Sequence, residues 1–147
     1  MSELVLNRKV RLAGIFPLQI LSLASDFSYA DVTGCAEMIG WKIVLFRKDP
    51  AADWDALRLS ELDSPEETAL GDHLLAAVGF PLRLGCSLHQ IRQIFGAEDA
   101  QEDFPEGCIR CCYRRDAHLR LTFELSGGRM TGLEILCSPE IIAAADA

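Results

Sequence analysis

The chain predicts an α+β fold: helices packed on one face of an antiparallel β-sheet, with a C-terminal three-stranded meander over residues 108–137. Three observations carry that expectation. Leu119, Leu121, Phe123 and Leu125 alternate with His118, Arg120, Thr122 and Glu124, so this strand has a dry face and a wet one. Gly127-Gly128 follows directly, and two glycines supply the positive φ that a two-residue hairpin turn demands. Upstream, Ser64-Pro65-Glu66-Glu67 and Ser87 with Gln90 are helix starts, each with a hydroxyl able to cap an orphan amide three residues on.

The elements follow in order. Val10 and Leu12 alternate with Lys9 and Arg11, which predicts a half-exposed strand near residues 4–13. Phe16 to Leu23 continues that strand or forms a second one; its period fits neither cleanly. Ser28 is placed to cap a helix over Tyr29 to Ile39, with Val32, Cys35, Ala36 and Ile39 on one face and Gly40 at its end. Trp41 to Phe46 reads as a buried strand stopped by Asp49-Pro50.

Ala51 to Asp63 reads as an acidic loop. The helix begun at Pro65 runs to Val78 and stops at Gly79, and Pro81 keeps it from resuming. Glu67 is expected to complete a capping box with Ser64. The second helix, begun after Ser87, turns Leu88, Ile91, Ile94 and Phe95 inward and ends at Gly96. Glu98 to Gly107 reads as a loop. Cys108 to Tyr113 is a strand, Arg115-Asp116-Ala117 a turn, and Met130 to Cys137 the last strand, where Leu133, Ile135 and Cys137 alternate against Glu134. Pro139 ends it, and Ala143 to Ala147 is expected to fray.

At 147 residues the chain has the length of one domain with one sizeable core. Half of it is hydrophobic and a quarter charged, an ordinary globular balance. No stretch approaches the roughly 20 apolar residues that cross a bilayer. Glu3, Arg8, Lys9 and Arg11 interrupt the N-terminus, and no small-residue cleavage site follows. No signal peptide is expected, and the expected location is cytoplasmic, of bacterial type. In that compartment the six cysteines are reduced thiols.

The net charge of −8 is unevenly spread. Residues 1–48 carry +2, residues 49–106 carry −10, and residues 107–147 are neutral. The acidity lies in two blocks, Asp49 to Glu67 and Glu98 to Glu106. Such a surface repels phosphate backbones and anionic lipids, so neither nucleic acid nor membrane is an expected partner. It would speed association with a basic protein.

Leu84-Gly85-Cys86-Ser87-Leu88-His89-Gln90-Ile91-Arg92-Gln93-Ile94-Phe95-Gly96 resembles the LGxSxxEVxxxLG turn-and-helix segment of the β-lactamase-inhibitor-protein-like fold, shared with small lipoproteins of outer-membrane β-barrel assembly. Gly85 and Ser87 match the turn and cap, Ile91 the inward position, and Phe95-Gly96 the helix end. Gln90 stands for the usual acid and Ala97 for a common proline. The likeness covers residues 65–137 and implies two helices on an antiparallel meander, in proteins that bind other proteins without catalysing reactions. Size and acidity are also similar to those of bacterial toxin-immunity proteins.

Few residues suggest chemistry. Cys108-Ile109-Arg110-Cys111-Cys112 contains a CxxC, but a zinc site needs four converging ligands and a second such pair is missing. Cys86 at a helix start, with His89 behind it, is either a thiolate made reactive by the helix N-terminus or a packed turn residue. His73 and His118 belong to no metal or triad spacing, and no cofactor is expected. Trp54 between Asp53 and Asp55 is either a plug beneath its loop or an aromatic anchor at an interface.

These observations point to a non-catalytic protein-binding protein, an immunity or inhibitor protein that neutralises a basic toxin or effector. Asp53, Trp54, Asp55, Glu98, Asp99, Glu102 and Asp103 would supply charge complementarity and the aromatic anchor. The alternative is a thiol-dependent enzyme or redox protein built on Cys86 or on Cys108, Cys111 and Cys112.

Overall fold

A computed structural model describes residues 4–146. Its strands are β1 (Ser22–Tyr29), β2 (Val32–Ile39), β3 (Ile43–Arg47), β4 (Ala56–Leu59), β5 (Ala100–Phe104), β6 (Cys108–Asp116), β7 (Leu119–Ser126) and β8 (Arg129–Leu136). Its helices are α1 (Pro65–Val78), α2 (Leu88–Phe95) and α3 (Pro139–Asp146). All eight strands join one antiparallel sheet in the order β1-β2-β3-β4-β8-β7-β6-β5. Two four-stranded ribbons, β1 to β4 and β5 to β8, meet at the β4–β8 pair. The segment holding α1 and α2 carries the chain from the centre of the sheet to its far edge.

Helix ends follow cap chemistry. Ser64 Oγ accepts from the Glu67 amide at 3.2 Å, and Gly79 takes φ +81° to close α1. Glu67 does not complete the expected capping box: its carboxylate accepts from the Ser64 hydroxyl and pairs with Lys42 at 2.8 Å. Around α2 the capping box is complete, with Ser87 and Gln90 exchanging both bonds.

The strands obey tertiary context more than local pattern. The helix expected over residues 29–39 is the β1–β2 hairpin, whose turn residues Ala30 and Asp31 both have positive φ. Val32, Cys35, Ala36 and Ile39 fit a helical stripe, yet in β2 Val32 and Ala36 face one side while Cys35 and Ile39 face the other. Gly34 requires a strand neighbour at close range: a Cβ there would lie 2.2 Å from the Arg47 carbonyl oxygen.

The strand expected over residues 4–13 is an irregular segment with a 3₁₀ turn at Leu12–Gly14. Bonds from the Asn7 amide to Val78 and from the Trp54 amide to Arg8 lace it across α1 and the approach to β4. Residues 51–63 contain β4, four residues long, with Ala56, Leu57 and Leu59 buried and Arg58 half-buried, too short a run for its alternation to stand out. Residues 98–107 contain β5, exposed throughout and therefore equally featureless in sequence. Residues 143–146, expected to fray, form the end of α3.

Successive residues on a strand face opposite sides, and two adjacent rows show what this does to the sheet. Ile43, Leu59, Leu133, Phe123 and Cys111 stand side by side across five strands, all buried. They join Leu74, Leu75 and Val78 of α1 and Ile91 and Phe95 of α2 in the main core. The next row holds Val44, Arg58, Glu134, Thr122 and Cys112. On that second face Ile141 of α3 covers only Phe46, Ala56 and Leu136, with Tyr29 and Val32. The helices are therefore not confined to one side, because α3 brings its own apolar face to the opposite one.

Candidate functional site

Where α3 stops, the second face lies open, and its floor is charged. A depression of about 490 Å³ is lined by Arg58, Glu134, Thr122, Glu124, Arg110 and Glu102 from five strands, with Trp41 at its rim. A second depression of about 420 Å³ shares Arg110 and Glu124 and adds Glu61, Asp63 and Phe104. The two adjoin at the Arg110–Glu124 pair, and as one groove they reach from the β2–β3 turn to the β5 edge.

Several contacts shape the floor. The Tyr29 hydroxyl reaches over from the end of β1 and donates to Glu134 at 2.5 Å. Burial, and then the Glu134 charge, push the Tyr29 hydroxyl far above its usual pKa, so it stays a donor. Arg58 lies over the Tyr29 ring at 5.5 Å. Arg120 pairs with Asp146 at 2.7 Å, tying α3 to the groove's end. Glu124 sits above Gly132, where a Cβ would come within 2.3 Å of its carboxylate. Burial raises the Glu124 carboxyl first; Glu61 and Glu134 add to the rise and Arg110 opposes it. The Arg120 Nε and the Thr122 hydroxyl are buried without a partner.

The lining carries five carboxylates against four cations, and the pairing among them is uneven. Among the described residues, Glu61, Asp63, Glu102 and Glu134 have no cation within 4 Å, whereas Arg120, Arg110 and Lys42 each have a carboxylate partner. Arg58 is the cation left over. Two large aromatics flank these acids: Trp41 is 59% exposed and Phe104 is 40% exposed.

The seven residues singled out from sequence scatter. Trp54 is completely buried, its indole N–H donating to the Asn7 carbonyl at 3.1 Å; it is the plug and offers a partner nothing. Asp55 is buried beside it, accepting from the Lys48 amide and lying 3.6 Å from Arg8. Asp53 pairs with Lys9 at 3.4 Å. Glu98 grips Arg92 with two bonds of 2.9 and 2.8 Å, and that grip holds its carboxyl down to about 2. Asp99 accepts from the Arg114 amide.

Glu102 alone lines the groove. Asp103, its neighbour on β5, faces the other side and accepts from Gln101. Four strand spacings separate β4 from β5, roughly 19 Å, so the residues around Trp54 and those on β5 cannot meet as one patch. Sequence inspection missed Trp41, Glu61, Asp63 and Phe104. A tryptophan beside Gly40 at a turn was the available signal.

The thiols divide into three buried, Cys86, Cys111 and Cys137, and three half-buried, Cys35, Cys108 and Cys112. All six cysteines are free. Burial raises Cys86, against the lowering expected at a helix start; the turn before α2 is zipped onto β8 through Met130. Burial pushes Cys111 and Cys137 up to about 11. Cys111 faces the main core, while Cys108 and Cys112 face the groove, about 13 Å apart along the strand. Among the described residues no three His, Cys, Asp or Glu side chains cluster as metal ligands, and no helix is long and apolar enough to cross a membrane.

No family model, curated protein or solved structure matches this chain.

Proposed function

We propose that the protein is a non-catalytic protein-binding protein and that the open groove on the sheet is its binding surface for a basic partner, as in an immunity or inhibitor protein. One observation carries this: four carboxylates without cations line a groove whose rims bear two exposed aromatic rings. Surplus negative charge accelerates encounter with a cationic surface. Exposed tryptophan beside arginine is the composition of interface hot spots. The floor of the groove is set on the sheet, so its backbone is already ordered before a partner arrives. The likeness of residues 65–137 to a protein-binding fold supports the same assignment.

Affinity capture at low ionic strength tests it, with the wild type run beside a triple variant, Trp41→Ala, Glu61→Gln and Glu102→Gln. A cationic protein held by the first, lost by the second and released by salt is the expected result. Equal retention by both chains ends the assignment. Thiol footprinting adds a second check: iodoacetamide labelling of Cys108 and Cys112 should fall in the complex while that of Cys35 does not.

A further inference from the structure

A concavity larger than either groove depression lies elsewhere, where the N-terminal segment, the end of α2 and the β6–β7 turn meet. Its volume is about 860 Å³, within the range of small-molecule sites. Phe95 and Cys137 form a buried floor, and half-buried Leu4, Leu6, Ile94 and Leu119 form the walls. That surface is apolar. The rim is cationic, which is unusual in a chain of net charge −8.

Among the described residues, two polar side chains of the rim, Arg115 and His118, have no carboxylate partner. Arg115 is held in place, its guanidinium 5.2 Å above the Tyr113 ring and donating to the Phe95 carbonyl. His118 stands exposed on the β6–β7 turn. Among the described residues neither has a carboxylate within 4 Å. The nearby acid, Asp116, is engaged by the His118 amide at 2.6 Å. Arg8, at the opposite wall, is used by Asp55 and the Trp54 carbonyl.

We propose that this trough binds a small amphiphilic carboxylate, its hydrocarbon body against Leu6, Ile94, Phe95 and Leu119 and its carboxylate between Arg115 and His118. A preoriented guanidinium recognises a carboxylate with two parallel bonds, and apolar walls favour a chain of methylenes. The site is independent of the sheet groove, and either can fail without the other.

Calorimetric titration of the full chain with octanoate, decanoate and decanol, all below micellar concentration, tests the proposal. Decanoate should bind saturably and about fourfold tighter per added methylene than octanoate. Decanol should bind about tenfold more weakly than decanoate. The double variant Arg115→Gln, His118→Gln should erase that difference. Ile94→Glu, which places an acid in the wall without touching the rim, should abolish decanoate binding while far-ultraviolet circular dichroism stays native. Absence of saturable binding, equal affinity for acid and alcohol, or an unaltered acid preference in the double variant overturns the site.

Discussion

The two faces of this sheet differ by a shift of one residue along each strand. Leu59, Leu133, Phe123 and Cys111 form a dry row under α1 and α2, while their neighbours Arg58, Glu134, Thr122 and Cys112 form a wet row under open space. The dry row is held by area removed from water and by close packing, which cannot relax when atoms are lost. The wet row is held by charges and hydroxyls that water can partly replace. A substitution should therefore cost much on one face and little on the other, and the recognition surface can vary without threatening the fold.

The largest effect belongs to the dry face. Phe123 meets Phe80, Phe95 and Tyr113 with ring centroids 6.1, 5.7 and 5.6 Å away. Phe123→Ala should cost about 3–5 kcal/mol in urea unfolding, through lost transfer energy and the cavity left behind. A cost near that of a surface change would break the comparison.

Next comes an ion pair carried into the dry side. Arg47 is 2% exposed, pairs with Glu37 at 2.9 Å and also donates to Ala52 and Val10. Glu37 in turn accepts from the amides of Leu12 and Ala13, tying the N-terminal segment to β2. Glu37→Ala should cost about 3 kcal/mol by the same measurement, since it strands a buried guanidinium.

Gly132 tests the floor of the groove. Its added Cβ would meet the Glu124 carboxylate at 2.3 Å and the Leu59 carbonyl oxygen at 2.6 Å. Gly132→Ala should cost about 1–3 kcal/mol. Adding Glu124→Ala should recover only part of that, because the Leu59 backbone cannot step aside.

A smaller effect appears at the margin of the dry face, where Glu98 accepts from Arg92 and from the Cys111 thiol. A carboxyl depressed to about 2 contributes stability above its unfolded value and loses it as pH falls through the folded one. Glu98→Gln should lower the melting temperature at neutral pH. The gap between variant and wild type should close between pH 4.5 and about 2. A constant gap over that window would contradict the pairing.

The smallest effect belongs to the wet row. The Thr122 hydroxyl is buried without a partner, so Thr122→Val should change unfolding free energy by less than about 1 kcal/mol, in the stabilising direction.

Legibility in sequence divides along similar lines. The ends of α1 and α2 were written within four residues, in a hydroxyl, a proline and a glycine whose partners lie on the next turn. The β7–β8 turn was equally local, with Gly127 and Gly128 at φ +59° and +79°. β4 and β5 were invisible for different reasons: Ala56–Leu59 is only four residues long, with buried Ala56 on the same face as Arg58, and Ala100–Phe104 is exposed on both sides. The β1–β2 hairpin hid behind a spacing that a helix also satisfies.

The amino-acid sequence by itself determined the boundaries of α1 and α2, the dry and wet alternation of β7 and the acidity of the middle third, because each depends on groups close along the chain. Tertiary structure alone decided that Trp54 is sealed inside and Trp41 exposed, and that Glu98 is neutralised by Arg92 while Glu102 is left free. It also carried Glu61 and Asp63 to within reach of β5. Burial and pairing are set by which distant strands become neighbours, and no local pattern encodes that.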